Sequence, residues 1–282
     1  MSKNRQPIGY GNLAAAQPIK VIAISSGKRG VGKSNIAASL ALALAEKNKK
    51  VLLLDADLGL EKLDKMLALH PKYNLAHVMQ GICHLNDTII QGPHGMSLIP
   101  GASGAQIKQL SPREHAGIID AFNELTDTWE YMIIDTAAGI SDTVLSFTRS
   151  SQEIILVIND DSAALIDTYS LIKIMNKRYQ WAEFHIVANM VRHTYDGIEL
   201  FSRLYQITEH FLDVRLNYLG AMPFDQRVPD AITNNQSVAM AAPDSMAAVA
   251  LCQLAATVDE WPIRLNISGN TSFFLERRLV SS

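Results

Sequence analysis

The stretch Lys20-Val-Ile-Ala-Ile-Ser-Ser-Gly-Lys-Arg-Gly-Val-Gly-Lys-Ser34 indicates the fold of the whole chain. Its first part is an apolar, β-branched run typical of a buried strand, and residues 27–34 match the pattern G-x-x-x-x-G-K-[S/T]. A helical pattern begins near Lys33, so the pattern lies between a strand and a helix. There, backbone N–H groups and the positive end of the helix dipole surround an anion. The stretch therefore predicts a phosphate-binding loop.

Outward from this loop, short apolar runs alternate with longer helical patterns. The runs are apolar nearly throughout, which is typical of parallel strands covered on both faces. The predicted strands span residues 20–25, 51–55, 97–99, 131–135, 153–158, 184–188 and 218–222. The predicted helices span residues 33–48, 113–125, 162–179, 197–211 and 245–258. This order predicts a single α/β domain, a P-loop NTPase with a mostly parallel, doubly wound sheet flanked by helices.

The predicted domain covers residues 19–260, preceded by an extension, residues 1–18, and followed by a tail, residues 261–282. The 282 residues are 48% hydrophobic, which excludes disorder across the whole chain. The formal net charge of -3 argues against a broad basic surface, so we do not expect non-specific DNA as a partner. No apolar run reaches the roughly 18 residues of a membrane-spanning helix. Two widely spaced cysteines and no secretory signal favour a cytoplasmic protein.

Three aspartates follow predicted strands. Asp55 and Asp57 follow the second strand, and Asp135 ends the strand at residues 131–135. Because the carboxyl ends of parallel strands lie along one edge of a sheet, these aspartates can meet the phosphates held by the loop. Lys33 would reach the β- and γ-phosphates, and the Ser34 hydroxyl would bind Mg²⁺. A lone aspartate at such a position is more often a helix cap or turn residue, but three at one edge favour a site.

With Lys28 inside the loop, the chain resembles the deviant Walker A ATPases of the MinD/ParA group. The resemblance spans residues 19–256. Within the group, Leu54-Asp-Ala-Asp-Leu-Gly-Leu60, Ile134-Asp-Thr-Ala-Ala-Gly-Ile-Ser141 and Val187-Ala-Asn-Met-Val191 resemble the flagellar-number regulators of the FlhG/FleN type. Ile99-Pro-Gly-Ala-Ser-Gly104 and the C-terminal segment Phe273-Phe-Leu-Glu-Arg-Arg-Leu279 resemble the same branch.

The resemblance implies that ATP drives two subunits into a face-to-face homodimer and that hydrolysis separates them. Lys28 would then cross to the partner's phosphates, Asp57 would position the attacking water, and Asp135 would hold Mg²⁺ through water. Asn189 would read the adenine edge, with residues 222–224 on the other side of the base. The expected catalytic residues are Lys28, Lys33 and Asp57, and the expected Mg²⁺ residues are Ser34, Asp55 and Asp135. The expected nucleotide-binding residues are Gly27, Lys28, Arg29, Gly30, Val31, Gly32, Lys33, Ser34, Asn35, Asn189, Pro223 and Phe224.

The chain departs from the family pattern at several places, of which Arg29 and residues 158–161 matter most here. Arg29 stands where the family usually has glycine, at the part of the loop nearest the γ-phosphate and the attacking water. A side chain there could block the water or strain the loop, or an arginine could add a cation near the developing charge. The second departure is the loop Ile158-Asn-Asp-Asp161, which replaces a Glu-Pro type loop. We expect nucleotide binding and dimerisation to persist and turnover to be slow or altered.

The tail has two interpretations. In the family it would be an amphipathic membrane-targeting segment, here residues 272–280, which would place the protein at the inner face of the cell membrane. The alternative is that Phe273 and Phe274 dock back onto the sheet domain. The resemblance implies two protein partners, a flagellar SRP-type GTPase and a flagellar transcriptional activator. Competing functions are a ParA-type DNA-segregation ATPase, a division-site MinD, and a nucleotide-binding scaffold that no longer hydrolyses ATP.

Overall fold

In the computed structural model, which describes residues 19–58, 63–102, 111–125, 127–264 and 273–274, one sheet organises the chain. The sheet has eight strands in the order β3-β4-β2-β5-β1-β6-β7-β8. The strands are β1 Lys20–Ser26, β2 Val51–Ala56, β3 Ile90–Gln91, β4 Ser97–Ile99, β5 Tyr131–Ala138, β6 Glu153–Ile158, β7 Glu183–Val191 and β8 Arg215–Pro223. All neighbouring pairs are parallel except β3 with β4, so the predicted fold class is confirmed.

Helices cover both faces of the sheet, as right-handed crossovers between parallel strands require. The helices are α1 Lys33–Glu46, α2 Leu63–Met66, α3 Leu75–Met79, α4 Pro112–Ala121, α5 Asp142–Arg149, α6 Ser162–Tyr179, α7 Thr194–Glu209, α8 Arg227–Thr233, α9 Val238–Ala241 and α10 Met246–Glu260. Within the described residues, no helix has both the length and the apolar character needed to cross a membrane.

Alternate residues of the central strands face opposite layers, which explains why their sequences are apolar without a break. Ile22 and Ile24 of β1 pack in a cluster with α1 and α10, whereas Val21 packs on the other face with α4. A third cluster under α6 and α7 covers β6 and β7. Every residue of β1, β2 and β6 is buried. The predicted site residues lie at the carboxyl ends of the strands, above this buried core.

The structure contains short elements that the sequence patterns did not predict. The two-residue strand β3 is antiparallel and lies at the sheet edge beside β4. Helices α2, α3, α5, α8 and α9 have four to eight residues. Segments this short do not show a recognisable helical pattern of apolar residues. The predicted helix at 113–125 ends earlier, at Ala121, and a 3-10 turn follows it.

The two phenylalanines of the tail are docked on the domain. Phe273 and Phe274 are completely buried, and the backbone N–H of Phe273 donates to the Ser150 carbonyl across 3.4 Å. Phe273 stacks on Phe147 of α5, with ring centroids 6.1 Å apart, and meets Phe122 edge-on at 4.9 Å. Of the two interpretations of the tail, docking holds for these residues, and the remainder of 272–280 lies outside the described residues.

Candidate functional site

The phosphate loop connects the central strand β1 to α1. Gly30 and Gly32 have φ angles of 83° and 88°, in the left-handed region that favours glycine. Gly32 is the N-cap of α1, and Lys33 is its first residue and is buried. The loop therefore ends at a helix N-terminus whose first N–H groups are available to an anion.

The beginning of the loop is held against α6. A Cβ added to Gly27 would lie 2.2 Å from the backbone of Asp167 and Thr168, so only glycine fits there. The N–H of Gly27 donates to the Thr168 hydroxyl across 3.4 Å, and that hydroxyl donates to the Ala164 carbonyl across 2.7 Å. Thr168 is thus a buried residue that supports the loop, and sequence reasoning missed it.

Arg29 is accommodated in the loop without backbone strain. Its side chain is exposed, and its φ lies outside the left-handed region that the neighbouring Gly30 occupies. Of the alternatives left open for Arg29, strain of the loop backbone therefore does not hold, because this position does not require glycine.

Lys28 is held within its own subunit by an ion pair. Its Nζ lies 2.6 Å from Oδ2 of Asp161, and both side chains are about 40% exposed (40% and 39%). Asp161 is the N-cap of α6 and accepts from the N–H of Ala163 across 2.8 Å. The hydrogen bond from Lys28, with the backbone N–H of Ala163, keeps the pKa of Asp161 below its ordinary value.

The predicted aspartates do meet at one edge of the sheet. Asp55 and Asp135 are register partners on the paired strands β2 and β5, and both are fully buried. Asp135 is also the register partner of Ile24 on β1, which places it beside the start of the loop. Asp57 is buried, and its N–H donates to Oδ1 of Asp55 across 3.1 Å.

Gly101 allows the chain to pass close to Asp55. A Cβ added at Gly101 would lie 2.9 Å from both the Cγ and the carbonyl oxygen of Asp55. On the other side, the segment after β5 is tied to β1, since the N–H of Gly139 donates to the Ser26 carbonyl across 2.9 Å. Backbone contacts therefore position both the segment that carries Asp55 and the segment that follows Asp135. The sequence motifs alone do not reveal these contacts.

The donor set fits Mg²⁺ bound together with a nucleotide. No group of three His, Cys, Asp or Glu side chains able to hold a metal occurs among the described residues. Mg²⁺ usually takes one or two carboxylates and completes its shell with water and substrate phosphates. Asp55, Asp135 and the partly exposed Ser34 supply that kind of set beside the phosphate loop. They are the residues that would hold the ion.

A cleft beside the loop contains the residues expected to contact the base. The cleft has a volume of about 80 Å³, and Asn35, Asn189, Met190, Pro223 and Phe224 are among its lining residues. Phe224 is 67% exposed, so one wall is an aromatic ring open to a ligand. The residues of β7, and those at and just after the end of β8, that were predicted to bind nucleotide therefore lie next to Asn35 in the first turn of α1.

Met190 is a lining residue that the sequence prediction did not include. It has a φ of 58° at an irregularity in the pairing of β7 with β8, between Asn189 and Val191. A methionine in the left-handed region costs about 1–2 kcal/mol. The irregularity turns its side chain toward the loop, where its Cε would lie 3.1 Å from a Cβ on Gly32. No local pattern in the sequence reveals such an irregularity.

The loop, the paired aspartates and the adjoining cleft give the chain the architecture of a P-loop nucleoside triphosphatase. A family model described as ParA: NUBPL iron-transfer P-loop NTPase matches residues 18–259. The chain thus belongs to the ParA/MinD family of P-loop NTPases.

Two curated relatives are similar over most of their length. The chain is 43% identical over 266 residues to the antiactivator FleN of Pseudomonas aeruginosa, covering 94% of this chain and 95% of the relative. It is 34% identical over 241 residues to the flagellum site-determining protein YlxH of Helicobacter pylori, covering 84% and 80%.

A solved structure of the septum site-determining protein MinD from Pyrococcus horikoshii, complexed with Mg-ADP, matches with a TM-score of 0.69. The two chains are 25% identical, and the match covers 86% of this chain and 96% of that one. The relative's bound Mg-ADP agrees with the nucleotide and Mg²⁺ expected from the residues of this site.

Proposed function

We propose that this protein is an ATP-binding and ATP-hydrolysing switch that dimerises with ATP and regulates the number or placement of flagella through protein partners. The phosphate loop and buried aspartates support the nucleotide chemistry. The 43% identity with a protein named antiactivator supports the regulatory role, as does the similarity to a protein named flagellum site-determining.

The ion pair between Lys28 and Asp161 is the observation that carries the switch. In the family, this lysine would contact the phosphates of the partner subunit. Here its ammonium already has a carboxylate partner at 2.6 Å within its own chain. Since both groups are partly exposed, the pair contributes little to stability and can be exchanged for phosphate contacts at small cost. The free subunit therefore keeps Lys28 in a weak ion pair of its own, which the partner's triphosphate can displace.

The other site residues take roles that their positions support. Lys33, at the start of α1, would bind the β- and γ-phosphates, and Mg²⁺ would supply charge neutralisation between them. Asp57 would orient the attacking water, because it follows β2 at the loop edge of the sheet. Asn189 donates through Nδ2 to Val31, which leaves its carbonyl oxygen to accept from the amino group of adenine. We expect slow hydrolysis that a partner stimulates.

The proposed partners are proteins in the cytoplasm. The name antiactivator fits a flagellar transcriptional activator as one partner, and a flagellar SRP-type GTPase is the other that we propose. Contact with the inner face of the membrane through residues 272–280 would require a nucleotide state in which Phe273 and Phe274 leave their buried positions. We do not propose iron transfer, because Cys83 and Cys252 are far apart in the sequence and the described residues contain no group of three His, Cys, Asp or Glu side chains able to hold a metal.

The test is the molar mass of the protein in solution, measured by light scattering with Mg·ATP and with Mg·ADP. We expect a dimer of about 62 kDa, twice the 31.0 kDa chain, with ATP alone. Lys28→Ala should bind ATP and remain a monomer, because its site is intact but its contact with the partner is lost. A flagellar count in cells that carry the same variant then links the dimer to the biological role.

Two outcomes would contradict the proposal in different ways. A protein that binds neither nucleotide has no ATP switch. A protein that binds ATP yet stays monomeric at micromolar concentration has lost the coupling between binding and dimerisation. A dimer that forms equally well in Lys28→Ala would contradict only the role given to that lysine.

A further inference from the structure

Arg29 lies in the exposed part of the phosphate loop. It lies between Lys28, which is half-buried, and the exposed Gly30. The loop returns to the core at Val31, which is buried. Since the φ of Arg29 is not left-handed, the backbone holds this residue as readily as it would hold alanine. The loop therefore carries the Arg29 guanidinium without backbone strain, and it keeps glycine at positions 30 and 32, where φ is positive.

The charges of the loop are unequally compensated. Lys28 is neutralised by Asp161 at 2.6 Å, and Lys33 is buried at the start of α1. Among the residues that the structure describes, Arg29 makes neither an ion pair nor a side-chain hydrogen bond. Before the subunits meet, Arg29 is thus a second loop cation, besides the Lys33 expected to bind the β- and γ-phosphates, that can reach a ligand.

We propose that Arg29 is a specificity-determining residue that binds the γ-phosphate held in its own loop and makes the free subunit prefer ATP to ADP. This inference rests on the proposed nucleotide switch. A γ-phosphate adds negative charge and acceptor oxygens, and the planar guanidinium can bind two such oxygens at once. A lysine ammonium acts instead as a point charge. Lys28 then remains available to the partner subunit after Asp161 releases it.

The experiment compares the affinities of Mg·ADP and of a non-hydrolysable Mg·ATP analogue by equilibrium titration. The variants are Arg29→Ala, Arg29→Lys and the matched control Lys47→Ala. Lys47 is an exposed cation at the C-cap of α1, at the far end of this 14-residue helix from the loop. The titrations are run at a protein concentration below dimer formation and again about 100-fold higher.

Arg29→Ala should lose about tenfold in affinity for the ATP analogue and less than twofold for ADP, as for one charge-assisted contact. Arg29→Lys should keep part of the preference, and Lys47→Ala should match the unmodified protein. Equal losses for both nucleotides would overturn the inference. So would a loss confined to the higher concentration, which places the contact across the dimer, or a gain in ATP affinity, which shows that Arg29 obstructs the site. Binding of neither nucleotide by the unmodified protein would overturn the proposed function as well.

Discussion

The side-chain amide of Asn189 donates a hydrogen bond of 2.8 Å to the carbonyl oxygen of Val31, joining the end of β7 to the phosphate loop. The same Nδ2 would lie 2.1 Å from a Cβ at Gly32. The residue expected to read the base therefore also packs on the glycine that caps the N-terminus of α1. A substitution at either residue of this contact should therefore alter both the phosphate-binding and the base-binding parts of the site.

Gly32→Ala should abolish nucleotide binding and destabilise the protein. The substitution places a side chain at a φ of 88°, which costs about 1–2 kcal/mol, and adds a clash with Asn189. Isothermal titration with Mg·ADP measures the first effect, and urea unfolding measures the second. Adding Asn189→Ala should recover part of the lost stability, because it removes the clash and leaves the backbone strain.

Gly95→Ala is the matched control for this strain. Gly95 has a φ of 77° and nothing within 4 Å of an added Cβ, so its substitution costs backbone strain without a clash. We expect Gly95→Ala to lower stability by about 1 kcal/mol and to leave nucleotide affinity unchanged. If Gly32→Ala and Gly95→Ala behave alike, the contact with Asn189 has no role in the site.

Asp161→Asn should shift the monomer–dimer equilibrium toward the dimer in the presence of ATP. The substitution removes the carboxylate that holds Lys28 at 2.6 Å within its own chain. The lysine is then available to phosphate at no cost of breaking an ion pair, so dimers should form at lower protein concentration. Analytical ultracentrifugation over a concentration series with a non-hydrolysable ATP analogue measures the change.

Asp160→Asn provides the control for Asp161→Asn, because it removes the same charge one residue away. Asp160 is exposed and pairs with Arg203 at 3.4 Å, not with Lys28. We expect its dimerisation curve to match that of the unmodified protein. Equal shifts in the two variants would mean that the overall charge of the loop, and not the ion pair of Lys28, sets the equilibrium.

The sequence predicted those parts of the site that are encoded by neighbouring residues. The loop, the strand before it and the helix after it follow from one stretch, and the meeting of Asp55 with Asp135 follows from the geometry of parallel strands. The support of Gly27 by Thr168 could not be predicted, since these residues are 141 positions apart and Thr168 carries no motif. The left-handed Met190 depends on how β7 pairs with β8, which no local pattern specifies.

Phe273→Ala should destabilise the protein by about 3–5 kcal/mol, the range for deleting a buried aromatic side chain. The ring is fully buried between Phe122 and Phe147. Its removal therefore leaves a cavity and takes away the aromatic contacts of both neighbouring rings. Urea unfolding followed by circular dichroism measures the loss. This result would show that the tail is part of the folded domain when no nucleotide is bound.

Phe211→Ala is the comparison for Phe273→Ala, since it deletes the same side chain where the ring is 68% exposed. We expect its unfolding free energy to change by less than about 0.5 kcal/mol. A similarly small effect of Phe273→Ala would contradict the docked position of the tail.

His115 should make the stability of the protein fall as the pH is lowered through about 6.5. The side chain of His115 on α4 is 2% exposed, and its Nε2 lies 3.0 Å from the Thr143 hydroxyl. Burial lowers the pKa of His115 from its ordinary value of 6.5, against the opposing effects of Asp142 on α5 and of Glu114 on its own helix. A base with a lowered pKa in the folded state binds its proton more readily when the chain is unfolded.

The contribution of His115 to stability is therefore complete above the unfolded pKa of about 6.5 and is lost as the pH falls toward the lower folded value. Arg149, on α5, repels the protonated ring and acts in the same direction as burial. We expect His115→Gln to flatten the decrease in unfolding free energy between about pH 7.5 and 5.5, measured in urea at each pH. The exposed His70, changed to Gln, should leave that decrease as it is. An unaltered slope in His115→Gln would assign the acid sensitivity to other groups.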